Sequence, residues 1–442
     1  MNAFYTDSLY ETLAEQPAWQ SAKQIGAHNA INAYKPQIVM DGHGNAIAVW
    51  TQTNGQRTSV WTNSYLVGQG WGVAMPLAID HGISTDAPHI AMNIQGNAMA
   101  VWIQQDSSGG SVWARRYNRT TGWGSAALLE TARAQNPKIA INAQGMVIAI
   151  WQQVKGAYYS LCSSSYAPVS GWSHNELIHI SHHGPASRLQ MAMHPSGNVV
   201  AVWYQFDGEF YRIWTKHYIA DTTNAGWCTT QMLSDHAGNA FSPQVSMRVD
   251  NSALAVWYQD DGTRSSIWFS ECSANSTSWS APQRVNQHYS GDALDPQIAT
   301  DAQGCTHAVW SQFCSGTHNI IWANCHVLGE GWGKSEQIKT DSTNPAGDPQ
   351  IVVDASGRAY AMWVQADGQR DHLMASQYTK HYGWDDPQRL PIQHKGDAML
   401  AQLAINAVGN VMAVWQQYDG MGNTVLAAIH GVKNYFAQNI KK

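Results

Sequence analysis

Charged side chains are scarce in this chain of 442 residues: Asp, Glu, Lys and Arg together make up 13%, against about 25% in an average soluble protein. That shortage excludes a disordered chain, a coiled coil or a charge-rich helical bundle. Positive charge is the scarcer sign, 25 Lys and Arg against 31 Asp and Glu, for a net charge of -6. The basic footprint of a nucleic-acid binder is therefore missing. No apolar run approaches the ~18 residues that a membrane span needs. The six cysteines (Cys162, Cys228, Cys272, Cys305, Cys314, Cys325) include no CxxC pair. They lack the matched spacing of a disulfide framework or a zinc site, and read for the most part as free thiols, which favours a reducing compartment. Residues Met1 to Asp7 carry no basic segment, apolar core or small-residue cleavage site. No secretory signal peptide is expected, so the chain is read as cytoplasmic or exported by a route that needs none.

Phenylalanine is scarce too, 7 residues, while tryptophan numbers 21. The tryptophans expose a repeat. The segment Pro36-Gln-Ile-Val-Met-Asp-Gly-His-Gly-Asn-Ala-Ile-Ala-Val-Trp50-Thr-Gln52 returns with its Trp-x-Gln ending at Trp102, Trp151, Trp203, Trp257, Trp310, Trp363 and Trp415, at spacings of 49 to 54 residues. A second tryptophan follows in most units, as at Trp61, and a third stands after a Gly, as at Trp71. All 21 fall in the repeat, so they are core anchors before they are anything else.

Each unit reads as four strands. Strand A is Pro-Gln-Ile-x-x-Asp, strand B is Asn-Ala-x-Ala-Val-Trp-x-Gln, strand C holds the second tryptophan, and strand D is Gly-Trp-x5-Leu. Asp-x-x-Gly-Asn between A and B, and Asp-Gly or Asn-Gly between B and C, are short hairpin signals. Four-stranded antiparallel units of about 50 residues, eight times over, predict an all-β chain folded as an eight-bladed β-propeller. A Gly-Trp strand is missing from the last unit, while Trp19 to Ile25 reads as a strand D with no unit of its own. The N-terminal strand is therefore expected to complete the last blade and close the ring. This gives a propeller over 19–430, an N-terminal extension over 1–18 and a C-terminal tail over 431–442. In the extension, Ser8-Leu-Tyr-Glu11 fits a capping box and predicts a short helix, either a plug on the propeller or a docking segment for an assembly partner.

The unit resembles a repeat of many bacterial β-propeller proteins, most without an assigned activity, and the resemblance covers about residues 19–430. More distantly the array is similar to sialidase-like propellers and to the multivalent lectin propellers of bacteria and fungi. The sialidase Asp-box, Ser-x-Asp-x-Gly-x-Thr-Trp, does not occur as such. The resemblance implies architecture, and function has to come from a site.

Candidate site residues are those that depart from the repeat on the face carrying the B–C and D–A loops. Units 3 and 4 depart most. Tyr158 and Tyr159 stand in the B–C loop of unit 3, Phe210, Tyr211 and Arg212 in that of unit 4, and His182, His183 and Arg188 in the D–A loop between them. Aromatic faces beside Arg and His suit a sugar ring or a peptide side chain. His28, His81, His182, His236, His288 and His394 occupy similar D–A positions. They are too far apart to share one metal ion, and suit a loop role, a charge switch near pH 6 or repeated ligand sites. Asp292, Asp295, Asp341 and Asp348 make one sector acidic, where calcium is conceivable although no EF-hand spacing supports it.

No cofactor motif is present, and neither a Gly-x-Ser-x-Gly elbow nor His-Glu-x-x-His occurs. Asp207 and Glu209 stand on one turn, whereas glycoside hydrolysis uses carboxyls on both sides of a bond. The expected function is a non-enzymatic propeller presenting its loop face to a glycan or protein ligand. The alternatives are a scaffold subunit of a larger assembly and a sialidase-like glycoside hydrolase.

Overall fold

The computed structural model describes residues 18–431 except short segments at 28–31, 54, 79–84, 107–108, 132, 157, 221–224, 235–237, 275, 288–290, 315–317, 339–343 and 392–395. The helix expected within 1–18 and the tail from 432 lie outside the described residues. Eight antiparallel sheets, each ordered A-B-C-D, form the blades of a propeller. In blade 1 strand A is Asn32–Met40, B is Ala46–Thr53, C is Thr58–Leu66, and D opens with Gly70–Trp71. Blade 8 is closed across the termini. Its strand C, Asn423–His430, pairs with Lys23–Gln24 in the register Lys23↔Ala427 and Gln24↔Leu426. Ile25 N–H donates to Val425 O at 3.0 Å and Gln20 N–H to Ile429 O at 2.8 Å. Strand C of blade 8 is therefore covered along its outer edge at these residues.

The core consists of the seams between blades. Trp50 of blade 1 packs with Val414, Val425 and Ala427 of blade 8, and Trp102 of blade 2 with Ile47, Val49 and Val60 of blade 1. The strand-B tryptophans are 0–1% exposed. Burying such an indole removes roughly 150–250 Å² from water, at about 25 cal/mol per Å². Burial also strands the indole N–H, and the Trp-x-Gln spelling answers that need. In a strand, residues two apart share a face, so the glutamine amide lies beside the indole. Trp50 Nε1 donates to Gln52 Oε1 at 2.9 Å, and the same bond recurs at Trp203, Trp257, Trp310, Trp363 and Trp415 at 2.9–3.3 Å. The other end of the glutamine ties down the loop entering the blade: Gln205 Nε2 donates to Gly184 O at 2.6 Å, Gln365 to Asn344 O at 2.8 Å and Gln417 to Gly396 O at 3.0 Å.

Three sequence expectations need adjusting. Strand D is broken in most blades, with Gly70–Trp71 and Met75–Pro76 pairing separately onto strand C, although the closing aliphatic residue (Leu77, Ile178, Leu233, Val285, Ile338, Leu390) is buried as expected. Strand A starts earlier than its proline, at Asn32 instead of Pro36 in blade 1, because it runs through a bulge. The free-thiol reading holds for Cys162, Cys228, Cys272 and Cys314 but fails for Cys305 and Cys325, which form a disulfide. Their separation of 20 residues matched no pattern between units. The pairing lies inside one blade, where the A–B turn meets the end of strand C.

Candidate functional site

The bulge decides what lines the central channel. In strand A of every blade the register shifts just before the segment Gln-Ile or its equivalent, as between Tyr34 and Gln37. The residue at the shift is left-handed each time: Lys35, Ala87, Asn136, Arg188, Ser242, Asp295, Asp348 and Leu400 have φ of 48–54°. That conformation costs a residue other than Gly or Asn roughly 1–2 kcal/mol. A bulge re-aims side chains, and here it delivers Arg188, Ser242, Asp295, Asp348 and Leu400 to a channel cavity of about 500 Å³. Two residues further along each strand, a second ring faces the same cavity: Gln37, His89, Lys138, Gln190, Gln244, Gln297, Gln350 and Gln402.

Two members of that second ring break the glutamine pattern, and both bring nitrogen donors. Burial, and then the Arg188 charge, push Lys138 down to about 8. Burial, and then the Lys138 charge, hold His89 well below its ordinary value. The Ile139 N–H donates to His89 Nδ1 at 3.3 Å, so the ring is neutral with its proton on Nε2. Blades 2 to 4 thus build a donor wall from His89, Lys138 and Arg188. The facing wall, from blades 6 and 7, is acidic. Ser242 Oγ donates to Asp295 Oδ1 at 3.1 Å. Burial and then the Asp295 charge raise Asp348, with the Arg188 charge opposing them. Lys138 and His89 were missed in the sequence, although their positions were readable: each stands where six other units have Gln after the bulge. Among the described residues the carboxylates of the acidic sector do not gather within one ion's reach, and Asp341 lies outside them.

The eight residues singled out in units 3 and 4 fall into distinct places. Tyr158 opens strand C of blade 3, Tyr158–Ala167, is 48% exposed, and meets the His182 ring edge-on at 4.6 Å. Tyr159 stands beside it, opposite Ser181. The His183 ring lies where a Cβ on Gly208 would come within 3.4 Å of it, which joins the D–A loop to the B–C loop of blade 4. Arg188 faces the channel. Tyr211, 39% exposed, packs with Tyr204, Phe206 and Phe241 at centroid distances of 5.1–5.7 Å. It therefore belongs to an aromatic floor shared with blade 5, which the sequence did not reveal because Phe241 is 30 residues further on. Tyr258 extends that floor, 5.6 Å from Phe241.

Arg212 turns inward. Its side chain is 1% exposed, Nε bonds Asp207 Oδ2 at 3.0 Å, Nη1 donates to Gly238 O at 3.2 Å, and the guanidinium stacks on Phe210 at 4.6 Å. Burial alone would raise Asp207, but the Phe210 and Glu209 N–H groups, at 2.8 Å each, and Arg212 hold it at about 2. Arg212, Phe210 and Asp207 are thus the frame of their loop. Arg188 and Arg212 do not converge, and Asp207 is already engaged by three donors, so this turn does not assemble the carboxyl and arginine constellation of a sialidase-like hydrolase. Of the D–A histidines, His28, His81, His236, His288 and His394 lie outside the described residues.

No protein-family model matches the chain, and no curated protein matches its sequence. Solved structures match its fold. The polysaccharide lyase Uly1 superposes with a TM-score of 0.50 at 9% identity, over 84% of this chain and 94% of its own. A leech intramolecular trans-sialidase gives 0.41 at 8% identity over 91% of each chain, and the Aleuria aurantia lectin 0.39 at 13% identity over 69% of this chain and 95% of its own. At such identities the likeness shows the fold alone.

Proposed function

We propose that the chain is a non-enzymatic binding propeller whose channel mouth, at blades 3 to 5, takes a glycan bearing an acidic group. The observation that carries this reading is the position of Arg188. The bulge aims it into the channel beside Lys138, while the floor of Tyr204, Tyr211, Phe241 and Tyr258 spreads over the adjoining blade junction. A sugar ring stacked on that floor sets its acidic substituent toward the two cations, and the Gln190 and Gln244 amides are left for hydroxyls. The repeat folds without these side chains, since other blades carry Ala87 or Leu400 at the position of Arg188.

Arrayed acidic and neutral glycans test the proposal against three proteins: wild type, Arg188→Asn and Lys138→Met. Asparagine tolerates the left-handed backbone and already occupies this place as Asn136. A charge-assisted hydrogen bond contributes about 1.5–3 kcal/mol, so each variant should bind an acidic glycan at least about tenfold more weakly while staying folded and melting no lower than wild type. Binding confined to neutral glycans, or equal binding by all three proteins, refutes the site. Capture of a protein with no glycan bound refutes the ligand class.

A further inference from the structure

We propose that Cys305, His307 and Cys325 form a redox-gated site for a zinc ion, on the face of blade 6 opposite the channel mouth. Cys305 closes the A–B turn, where its N–H donates to Asp301 Oδ1 at 2.8 Å. His307 follows two residues later in strand B, Thr306–Phe313, and so shares its face. Cys325, in strand C, Asn319–Val327, is the direct antiparallel partner of His307. The two sulfurs and an imidazole nitrogen all lie within 4.8 Å of one another. Two thiolates and an imidazole are a zinc donor set.

The internal repeat shows how unusual His307 is. The matching place, three residues before the strand-B tryptophan, holds a large apolar or aromatic side chain in each of the other blades, among them Ile47, Val200, Leu254 and Tyr360. Blade 6 alone puts an imidazole there, 5% exposed. Its ring packs edge-on to Tyr378 at 5.2 Å and takes part in no hydrogen bond among the described residues. The ring nitrogens are thus left for a ligand, and a metal ion beside the two sulfurs takes one of them. Cys325 is equally out of pattern, since its counterparts include Ser64, Arg116, Glu271 and Gln377. Two departures from the repeat therefore meet, and Cys305 completes the triangle.

In the structure the two cysteines are joined, with their Cα atoms 6.7 Å apart. Tetrahedral zinc holds each sulfur at about 2.3 Å and hence the pair at roughly 3.8 Å, so the disulfide and the ion exclude each other. A dithiol reductant opens the site: it donates two electrons and two protons to the disulfide, giving two thiols, and leaves as its own cyclic disulfide. Zinc then displaces the two thiol protons to solvent. Two thiolates cancel the charge of the ion, and the fourth position is open to water.

Cobalt(II), a spectroscopic stand-in for zinc, tests this on the full chain. After reduction, checked by counting all six thiols, wild type should bind one cobalt per chain with a thiolate-to-cobalt charge-transfer band that zinc abolishes. Oxidised protein should show no band. Cys325→Ser and His307→Leu should each lose it. The second restores the residue type of the other blades, as at Leu254, so that variant keeps its fold. No band in reduced wild type, or an undiminished band in either variant arising at Cys162, Cys228, Cys272 or Cys314, overturns the assignment. So does a disulfide that no dithiol reduces while the protein stays folded.

Discussion

Replacing Gln365 with leucine isolates the energetic role of the Trp-x-Gln pair. The leucine keeps most of the volume and removes the amide. In wild type, Trp363 Nε1 donates to Gln365 Oε1 at 3.2 Å, and Gln365 Nε2 donates to Asn344 O at 2.8 Å and Pro345 O at 3.3 Å. The indole is 1% exposed, so its orphaned N–H costs about 1–3 kcal/mol. The loop carbonyls regain water in part, adding about 1 kcal/mol. The expected loss is therefore about 2–4 kcal/mol. Blade 2 supplies the control within the same molecule. There Trp102 Nε1 and Gln104 Oε1 have no partner among the described residues, so Gln104→Leu breaks no such bond and should change stability by under about 1 kcal/mol. Equilibrium urea unfolding of the two variants, followed by the fluorescence of the seam tryptophans, measures the difference. Equal losses in both refute the reasoning, since the two glutamines then contribute only volume. An undamaged Gln365→Leu variant refutes it as well.

Trp257→Ala should cost roughly 3–5 kcal/mol in the same assay, because the ring is 0% exposed in the seam with Val200 and Ile213; an unchanged midpoint contradicts the seam. Deleting residues 1–17 should leave a folded monomer, whereas deleting 1–25 removes the strand paired with Asn423–His430 and should yield aggregates or domain-swapped species on size-exclusion chromatography; identical behaviour of the two truncations contradicts ring closure. Lys138 is held at about 8 against an ordinary 10.5, so the folded chain binds fewer protons than the unfolded one between those values and stability rises with pH across that window. Lys138→Met should therefore melt higher than wild type at neutral pH and lose that advantage between pH 8 and 10.5; a constant difference across the range speaks against a desolvated lysine. Binding of an acidic glycan by wild type should fall as pH rises past about 8, and pH-independent binding excludes Lys138 from the site.

The blades were legible because their determinants are local and repeated. Each Asp-x-x-Gly-Asn turn fixes its hairpin in place: Asp41 Oδ1 accepts from the His43 and Asn45 N–H groups at 2.8 and 2.9 Å, and Asn251 takes the left-handed place of Gly at φ 69°. The unmatched Trp19 and Ile25 disclosed the closure. The strand-A bulge was not legible, because Lys35, Ala87, Asp348 and Leu400 share no chemistry that announces a positive φ. Its effect on the site is large, since it aims Arg188 into the channel. The direction of Arg212 had a signal that went unused. Strand alternation pairs it with Gln205, which lies on the tryptophan face, and so points it inward. Tyr211 opens strand C, Tyr211–Ile219, instead of standing in the B–C loop, and its partner Phe241 belongs to the next unit, where a contact between units leaves no trace in the spelling of either.

Ring closure also sets a clock on synthesis. Lys23 pairs with Ala427, so this strand finds its partner only after all the blades between the two have been made. At about 5–20 residues per second, the intervening stretch takes roughly 20–80 s. Over that interval blades 1 to 7 have the sequence they need to form one after another, each covering the Trp face of the next, but the array remains an open arc. The strand C waiting in blade 8 and the released N-terminal segment are complementary edges, on one chain and equally between neighbouring chains on a polysome. Closure into a monomer then competes with pairing between siblings, and the faster one tether closes on itself relative to their local concentration, the fewer linked pairs form.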